Sequence, residues 1–307
     1  MQTNGNQLFH NYFREWMEVY KKGAVRPITY QKYLMTLKRL AELAPDLKIN
    51  ELDKRNYQNL LNEYAKTHEK QTTMDFHHHL KSAVLDAIDE GALTSDPTRK
   101  VIVKGKSPSE KKPKFLSQFE LKSLLANLYL VNKPNWDWFI LLIAKTGLRF
   151  SEALALTPSD FDFAGHKIKI VKTWNYKDVN GGFAETKNQS SRRTLQIDPL
   201  LNTQLAELTR GLASDKPIFV EGRVFNSTVN KHLETLCRKA LVPVISVHSL
   251  RHSHASALIF AGVSIASVAK RLGHSSVTTT QETYLHIIQE LENQDNEKIM
   301  RHLALLV

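Results

Sequence analysis

One cysteine occurs in 307 residues, Cys237, so neither an internal disulfide nor a cysteine-based zinc site can form, and the usage fits a reducing cytosol. No run of 18 or more apolar residues is present, which removes the usual signature of a membrane-spanning helix. The N-terminus, MQTNGNQLFHNYFREW, lacks the charged, apolar and small-residue zones of a signal peptide. A cytoplasmic location is therefore expected. There is no GxxxxGK[ST] loop to cradle a nucleoside triphosphate, and no acidic cluster of the kind that holds catalytic metal ions. Neither ATP, a metal nor any other cofactor is expected.

Positive charge, by contrast, is plentiful. Forty-two Lys and Arg against 31 Asp and Glu give a formal net charge of +11. Such a field attracts polyanions and raises their association rate, so nucleic acid is the leading partner, with lysine-driven solubility as the competing explanation. No basic amphipathic helix with a large apolar face stands out, so a membrane surface is not expected as a partner. At this length two domains are the default, and 42% hydrophobic residues suffice for sizeable cores.

Helical periodicity dominates from Leu8 to Glu90. Apolar residues recur three and four apart, as in Phe13, Met17 and Tyr20, and predict four helices over about 7–22, 28–43, 53–67 and 71–90, the last stopped by Gly91. A basic stretch follows, VKGKSPSEKKPKF, in which Lys104, Lys106, Lys111, Lys112 and Lys114 surround Gly105, Pro108 and Pro113. It reads as a linker over 104–114 that either is merely solvated or runs along phosphates. Ser117 and Glu120 then form an S-x-x-E capping box that opens the second domain, 115–307.

Two helices interrupted at Thr146 and Gly147 are expected over 135–157. Alternation in HKIKIVKTW and again in RRTLQID, with Gly181 and Gly182 in the polar stretch before the second run, predicts one small antiparallel sheet around 166–198. Beyond it the chain reads as helix to its end. The fold class expected is mainly α with a small antiparallel β-sheet: a helical domain, then a mixed α/β domain.

Three motifs carry candidate chemistry. In TGLRFSEALAL, Gly147 permits a tight turn and Ser151 is the expected N-cap, which sets Arg149 beside a helix N-terminus, where an anion is favoured. The plainer alternative is a surface ion pair with Glu152. In SVHSLRHSHAS, helical stepping puts His248, Arg251 and His252 on one face, whereas His254 falls beside Leu250, Ala257 and Leu258 and reads as a packed histidine. Zinc on His248 and His252 is disfavoured: Ser249 stands where H-E-x-x-H has its glutamate, and Arg251 would repel a cation. In RLGHSSVTTTQETYLH, Gly273 ends a helix, His274 follows it, and Tyr284 lies on the next helix.

In order and spacing, Arg149, His248, Arg251, His274 and Tyr284 resemble the signature of the tyrosine recombinases of the phage integrase type. The likeness extends to the helical region, which is similar to that family's core-binding domain and would span 1–103, with 115–307 as the catalytic domain. The resemblance implies a site-specific recombinase that cuts double-stranded DNA through a 3′-phosphotyrosyl intermediate at Tyr284. Arg149 and Arg251 would hold the phosphate, His274 would hydrogen-bond it, and His248 would serve as base. Lys187, in ETKNQSSRRTLQI, matches the family's general acid, ahead of the neighbouring Lys172 and Lys177. Glu152 and His252 would support these residues. Four protomers would act on two duplexes, and a C-terminal segment with Ile288, Leu291, Ile299, Met300 and Leu303 would dock on a neighbour or on its own domain. Competing readings are a non-catalytic DNA-binding factor of the same fold, a type IB topoisomerase-like enzyme, and a histidine-ligated metal hydrolase.

Overall fold

The computed structural model describes residues 6–107, 114–186 and 188–284, together with 300, 303 and 305. The chain divides into two compact units, residues 1–110 and 111–307.

The first unit is helical, and its four helices lie within two residues of the spans read from periodicity: α1 (Phe9–Tyr20), α2 (Pro27–Leu43), α3 (Lys54–Ala65) and α4 (Lys70–Asp89). On α1 the residues Phe9, Tyr12, Phe13 and Trp16, spaced i, i+3, i+4, i+7, all turn inward. Pro27 opens α2 at a position where its missing N–H costs nothing. At the start of α3 the Asp53 carboxylate accepts the Asn56 N–H at 2.7 Å. Leu40, Tyr57, Leu61, Phe76, Leu80 and Val84 complete the core.

The basic stretch does not begin as a free linker. Gln58 clamps the backbone of Ile102, accepting from its N–H and donating to its carbonyl at 2.9 and 2.8 Å. The Lys106 N–H donates to the His68 carbonyl at 2.8 Å. At Gly105 a Cβ would lie 2.1 Å from the backbone nitrogen of Lys70, so only glycine allows this approach. Lys104 and Lys106 are thus exposed on a strand-like tail of the first unit, a correction to a linker starting at 104. Lys114 is exposed at the start of the second unit; Lys111 and Lys112 lie outside the described residues.

The second unit begins with the expected capping box: the Ser117 hydroxyl accepts from Glu120 N and the Glu120 carboxylate from Ser117 N, leading into α5 (Gln118–Ala126). Helix α6 (Trp136–Thr146) is apolar almost all round, which suits the middle of a core rather than its edge. It packs along α10 (Val247–Phe260). Gly147 ends α6 in the left-handed conformation, φ +70°, and α7 (Phe150–Leu154) follows. Next come β1 (Phe161–Asp162), β2 (Lys167–Ile170), β3 (Lys172–Trp174), β4 (Phe183–Glu185) and β5 (Arg193–Gln196). The remaining helices are α8 (Pro199–Leu208), α9 (Asn226–Lys239), α10, α11 (Ile265–Leu272) and a helical stretch from Val277 to Tyr284.

The strands form two sheets where one was expected: an antiparallel β1-β2-β5 sheet and a separate β3-β4 hairpin. HKIKIVKTW changes partner at Val171. Lys167 to Ile170 pair with Gln196 to Arg193, whereas Lys172 to Trp174 pair with Glu185 to Phe183. Ile168 and Ile170 face the core opposite exposed Lys167 and Lys169. That alternation stops at β3, whose residues are all half-buried. Lys187 and residues 285–299 lie outside the described set, so the expected general acid and most of the docking segment cannot be placed; Met300 and Leu303 are exposed.

Candidate active site

Two arginines meet over one helix end. Arg149 Nη2 donates to the carbonyl of Gly273 at 2.9 Å, and Arg251 Nη2 donates to that of the preceding residue, Leu272, at 2.7 Å. Arg251 Nη1 donates to Gly147 O at 2.6 Å. Gly147 and Gly273 are the left-handed caps of α6 and α11, and their free carbonyls sit at the negative ends of those helix dipoles, where a cation is favoured. Neither cap tolerates a side chain. A Cβ on Gly147 would lie 2.7 Å from the His254 ring, and one on Gly273 would lie 2.9 Å from Arg193 Nη1.

Arg149 itself is the N-cap of α7, a correction to Ser151, which lies inside the helix. The Glu152 carboxylate accepts from Arg149 N at 3.0 Å and from Arg149 Nη1 at 2.7 Å, so this expected supporting residue is a direct ion-pair partner. Glu152 is 1% exposed and also receives Arg193 Nη1 and Nη2 at 3.3 and 3.0 Å. Burial alone would raise the Glu152 pKa; the Arg193 and Arg149 guanidiniums outweigh it and hold the carboxyl below its ordinary range.

Arg193 was not anticipated, although its position was readable. On β5 it shares the inward register with buried Leu195 and Ile197. An arginine on the core face of a strand calls for a buried acid, and Glu152 is that acid. Arg193 Nε also donates to the Arg271 carbonyl at 2.7 Å, which ties β5 to α11. Lys172, one of the alternatives to Lys187, is committed elsewhere: its Nζ lies 2.8 Å from Asp160 and 3.0 Å from the Thr157 hydroxyl.

The histidine strip divides along α10. Arg251 is 3% exposed. Burial, then the charge of Arg149, presses against its proton, and the Glu152 carboxylate opposes them without balancing them. His254 is packed, as expected. Its Nδ1 bonds the Ala144 carbonyl at 3.0 Å, which makes Nδ1 the protonated nitrogen, and Nε2 accepts from Arg271 Nε at 2.9 Å. His248 is exposed, and its ring stands edge-on to that of His252, centroids 4.9 Å apart. His252 Nδ1 lies 2.9 Å from the Tyr284 hydroxyl.

Tyr284 is 1% exposed, its ring held among Ala255, Ile259, Val268 and Leu272. Burial pushes its pKa up to about 12, with Arg251 opposing, so the hydroxyl is neutral in this state. His274 Nδ1 bonds the buried Thr280 hydroxyl at 2.8 Å, and its Nε2 has no partner among the described residues. Burial, then Arg251 and Arg149, lowers its pKa to about 4.

One domain thus assembles three guanidiniums, those of Arg149, Arg193 and Arg251, around the single carboxylate of Glu152, with His274 and a buried tyrosine on the same elements. Among the described residues no three His, Cys, Asp or Glu side chains converge to hold a metal. An unbalanced pocket of fixed N–H donors suits a tetrahedral oxyanion. The sequence profile described as the Phage integrase family matches residues 114–290, more than half of the chain. The chain belongs to the phage integrase family. A second profile, the phage integrase N-terminal SAM-like domain, covers residues 8–65 of this integrase. Its relatives include the integrase of Staphylococcus phage L54a, 23% identical across 95% of this chain and 92% of that protein. Tyrosine recombinase XerC of Rickettsia bellii (strain RML369-C) is 31% identical across 65% of each. In fold, the integrase is similar to the Tn1549 transposon integrase solved in complex with transposon right end DNA, TM-score 0.76 at 17% identity over 91% of this chain and 95% of that one. A lambda integrase dimer bound to a COC′ core site has a TM-score of 0.65 at 18% identity over 90% and 76%. The integrase is a tyrosine-type site-specific recombinase.

Proposed function

We propose that this recombinase cuts and rejoins double-stranded DNA in the cytoplasm through a 3′-phosphotyrosyl link at Tyr284. Arg149 and Arg251 bind the two non-bridging oxygens of the scissile phosphate. Guanidiniums suit this work because they keep their charge and present paired donors, and each such donor is typically worth about 3 kcal/mol in a transition state. His274 donates a further hydrogen bond from Nε2, Lys187 protonates the departing 5′-oxygen, and a histidine of the α10 strip takes the Tyr284 proton. The family resemblance nominates His248 for that step.

The phosphodiester energy is kept in the tyrosyl link, so attack by another strand's 5′-hydroxyl rejoins DNA without ATP or metal. Both units hold the duplex, with Lys104, Lys106, Lys111, Lys112 and Lys114 along phosphates, and four protomers join two duplexes, each C-terminal segment docking on a neighbour. The observation that carries the reading is the cross-brace of Arg149 and Arg251 on the consecutive carbonyls of Gly273 and Leu272, in a pocket whose only paired carboxylate among the described residues is Glu152. It is tested with a nicked duplex, carrying the junction sequence that flanks the gene, in which a released fragment cannot religate. The wild-type chain accumulates a covalent adduct and Tyr284→Phe binds without forming one. An adduct with Tyr284→Phe overturns the assignment, and no adduct with the wild type favours a DNA-binding factor.

A further inference from the structure

The buried Glu152 carboxylate has two guanidinium partners, and they differ in what else they can reach. Arg193 meets it side-on, with Nη1 and Nη2 at 3.3 and 3.0 Å, and its side chain is 6% exposed. Arg149 meets it through one guanidinium nitrogen, Nη1 at 2.7 Å; its side chain is 27% exposed and its Nε has no partner among the described residues. We infer that Arg193 is a positioning residue: as the standing counter-ion of Glu152, it leaves the charge of Arg149 available to the scissile phosphate. The inference rests on reading Arg149 as a phosphate ligand.

Three observations support it. Arg193 is anchored independently of the acid, donating from Nε to the Arg271 carbonyl at 2.7 Å and from Nη1 to the carbonyl of buried Ser191 at 2.9 Å. Held by both carbonyls and by both carboxylate oxygens, its fork cannot swing toward a ligand. Burial opposes the ionisation of Glu152, and of the two cations that outweigh it Arg193 acts the more strongly. Neither arginine has another carboxylate partner among the described residues.

The charges show what this arrangement does. Two guanidiniums around one carboxylate leave a formal charge of +1. Without Arg193 that charge is zero, and Arg149 becomes the only guanidinium beside a carboxylate that is 1% exposed. An uncompensated charge in a low-dielectric interior is strongly unfavourable, so the acid draws on its remaining cation. Arg149 is then held in a neutral pair, and less of its field meets the charge that builds on the phosphate oxygens. The difference in exposure follows the same division of duties. A counter-ion that takes no ligand can be shut away, whereas an arginine that takes one must keep an open edge.

The test measures single-turnover adduct formation on the nicked junction duplex at saturating DNA. Arg193→Met is expected to slow it by about 10²-fold, as for loss of one oxyanion donor. Adding Glu152→Gln, which removes the charge that Arg193 balances, is expected to make the chain faster again by about 10-fold. A residue that merely props the fold gives the opposite result, since a second substitution in the same network deepens the loss. A wild-type rate in Arg193→Met, or an Arg193→Met/Glu152→Gln chain no faster than Arg193→Met, overturns the inference. If Arg193→Met fails to fold or to bind DNA, the doubly substituted chain is compared with Glu152→Gln alone: the inference requires rates within about 10-fold of each other, and a wider gap defeats it. Failure of the phosphate reading shows separately, as an Arg149→Ala chain that forms adduct at the wild-type rate.

Discussion

The Arg251 guanidinium is bonded at 2.6 Å to the carbonyl of Gly147, a residue 104 positions earlier. Its second arm holds Leu272 O, so one side chain joins the ends of α6 and α11. The charge proposed to receive the phosphate is therefore also part of the frame that joins these helix ends.

Arg251→Lys should separate these duties. An ammonium cannot span both carbonyls with a fixed fork, so a buried acceptor loses its partner, at a cost of about 1–3 kcal/mol in stability. Adduct formation should fall about 10²–10³-fold at saturating DNA, as for loss of one oxyanion donor. Urea unfolding and single-turnover cleavage measure the two effects; a variant that cleaves at the wild-type rate would remove Arg251 from the phosphate site.

Gly147→Ala is expected to destabilise more than Gly211→Ala. Both glycines have positive φ, +70° and +80°, so the backbone cost of about 1–2 kcal/mol is shared. At Gly211 the new methyl meets nothing within 4 Å, whereas at Gly147 it meets the His254 ring at 2.7 Å and Leu272 at 3.0 Å. Overpacking adds about 1–3 kcal/mol at Gly147 only. Equal unfolding midpoints for the two variants would refute this.

Acid should weaken the second unit in two overlapping windows. Burial, then Arg271, pulls the His254 pKa from 6.5 to about 3, so the unfolded chain takes up this proton first. The stability it contributes is complete above about pH 6.5 and declines as pH falls toward its folded value, by about 1.4 kcal/mol per pH unit. Glu152 acts lower. Its folded pKa lies below the ordinary 4.5, so its contribution is present above that value and lost as pH falls through the depressed one. Urea titrations from pH 7 down through 5.5 and 4 to about 3 should show His254→Asn flattening the upper part of the decline and Glu152→Gln the part below 4.5; unchanged slopes would contradict both.

Lys104→Ala, Lys106→Ala and Lys114→Ala should each reduce the slope of log affinity against log salt by about 1 if that lysine neutralises a DNA phosphate. A slope that stays at the wild-type value returns that lysine to a merely solvated role.

Local rules carry far in this chain. Periodicity located α1 to α4 within two residues, S-x-x-E opened α5, and Gly147 and Gly273 ended their helices, because each depends only on neighbours within one or two turns. The same helical arithmetic put Arg251 and His252 toward the site and His254 toward the core. The order of Arg149, His248, Arg251, His274 and Tyr284 was enough to suggest the family. Strand pairing went less well: HKIKIVKTW reads as one strand, and only the positions of β4 and β5 split it at Val171.

What the sequence determined by itself was the set of elements, the capping residues and the identity of most side chains around the pocket, all properties of short stretches of chain. Tertiary structure alone decided the partners. Arg193 joins Glu152, two arginines anchor on the carbonyls of Leu272 and Gly273, and His252 Nδ1 lies 2.9 Å from the Tyr284 hydroxyl. The physical reason is range. A hydrogen bond forms only at about 3 Å and in the right direction, and which of two histidines four residues apart meets a distant tyrosine depends on how α10 packs against the helix that carries it.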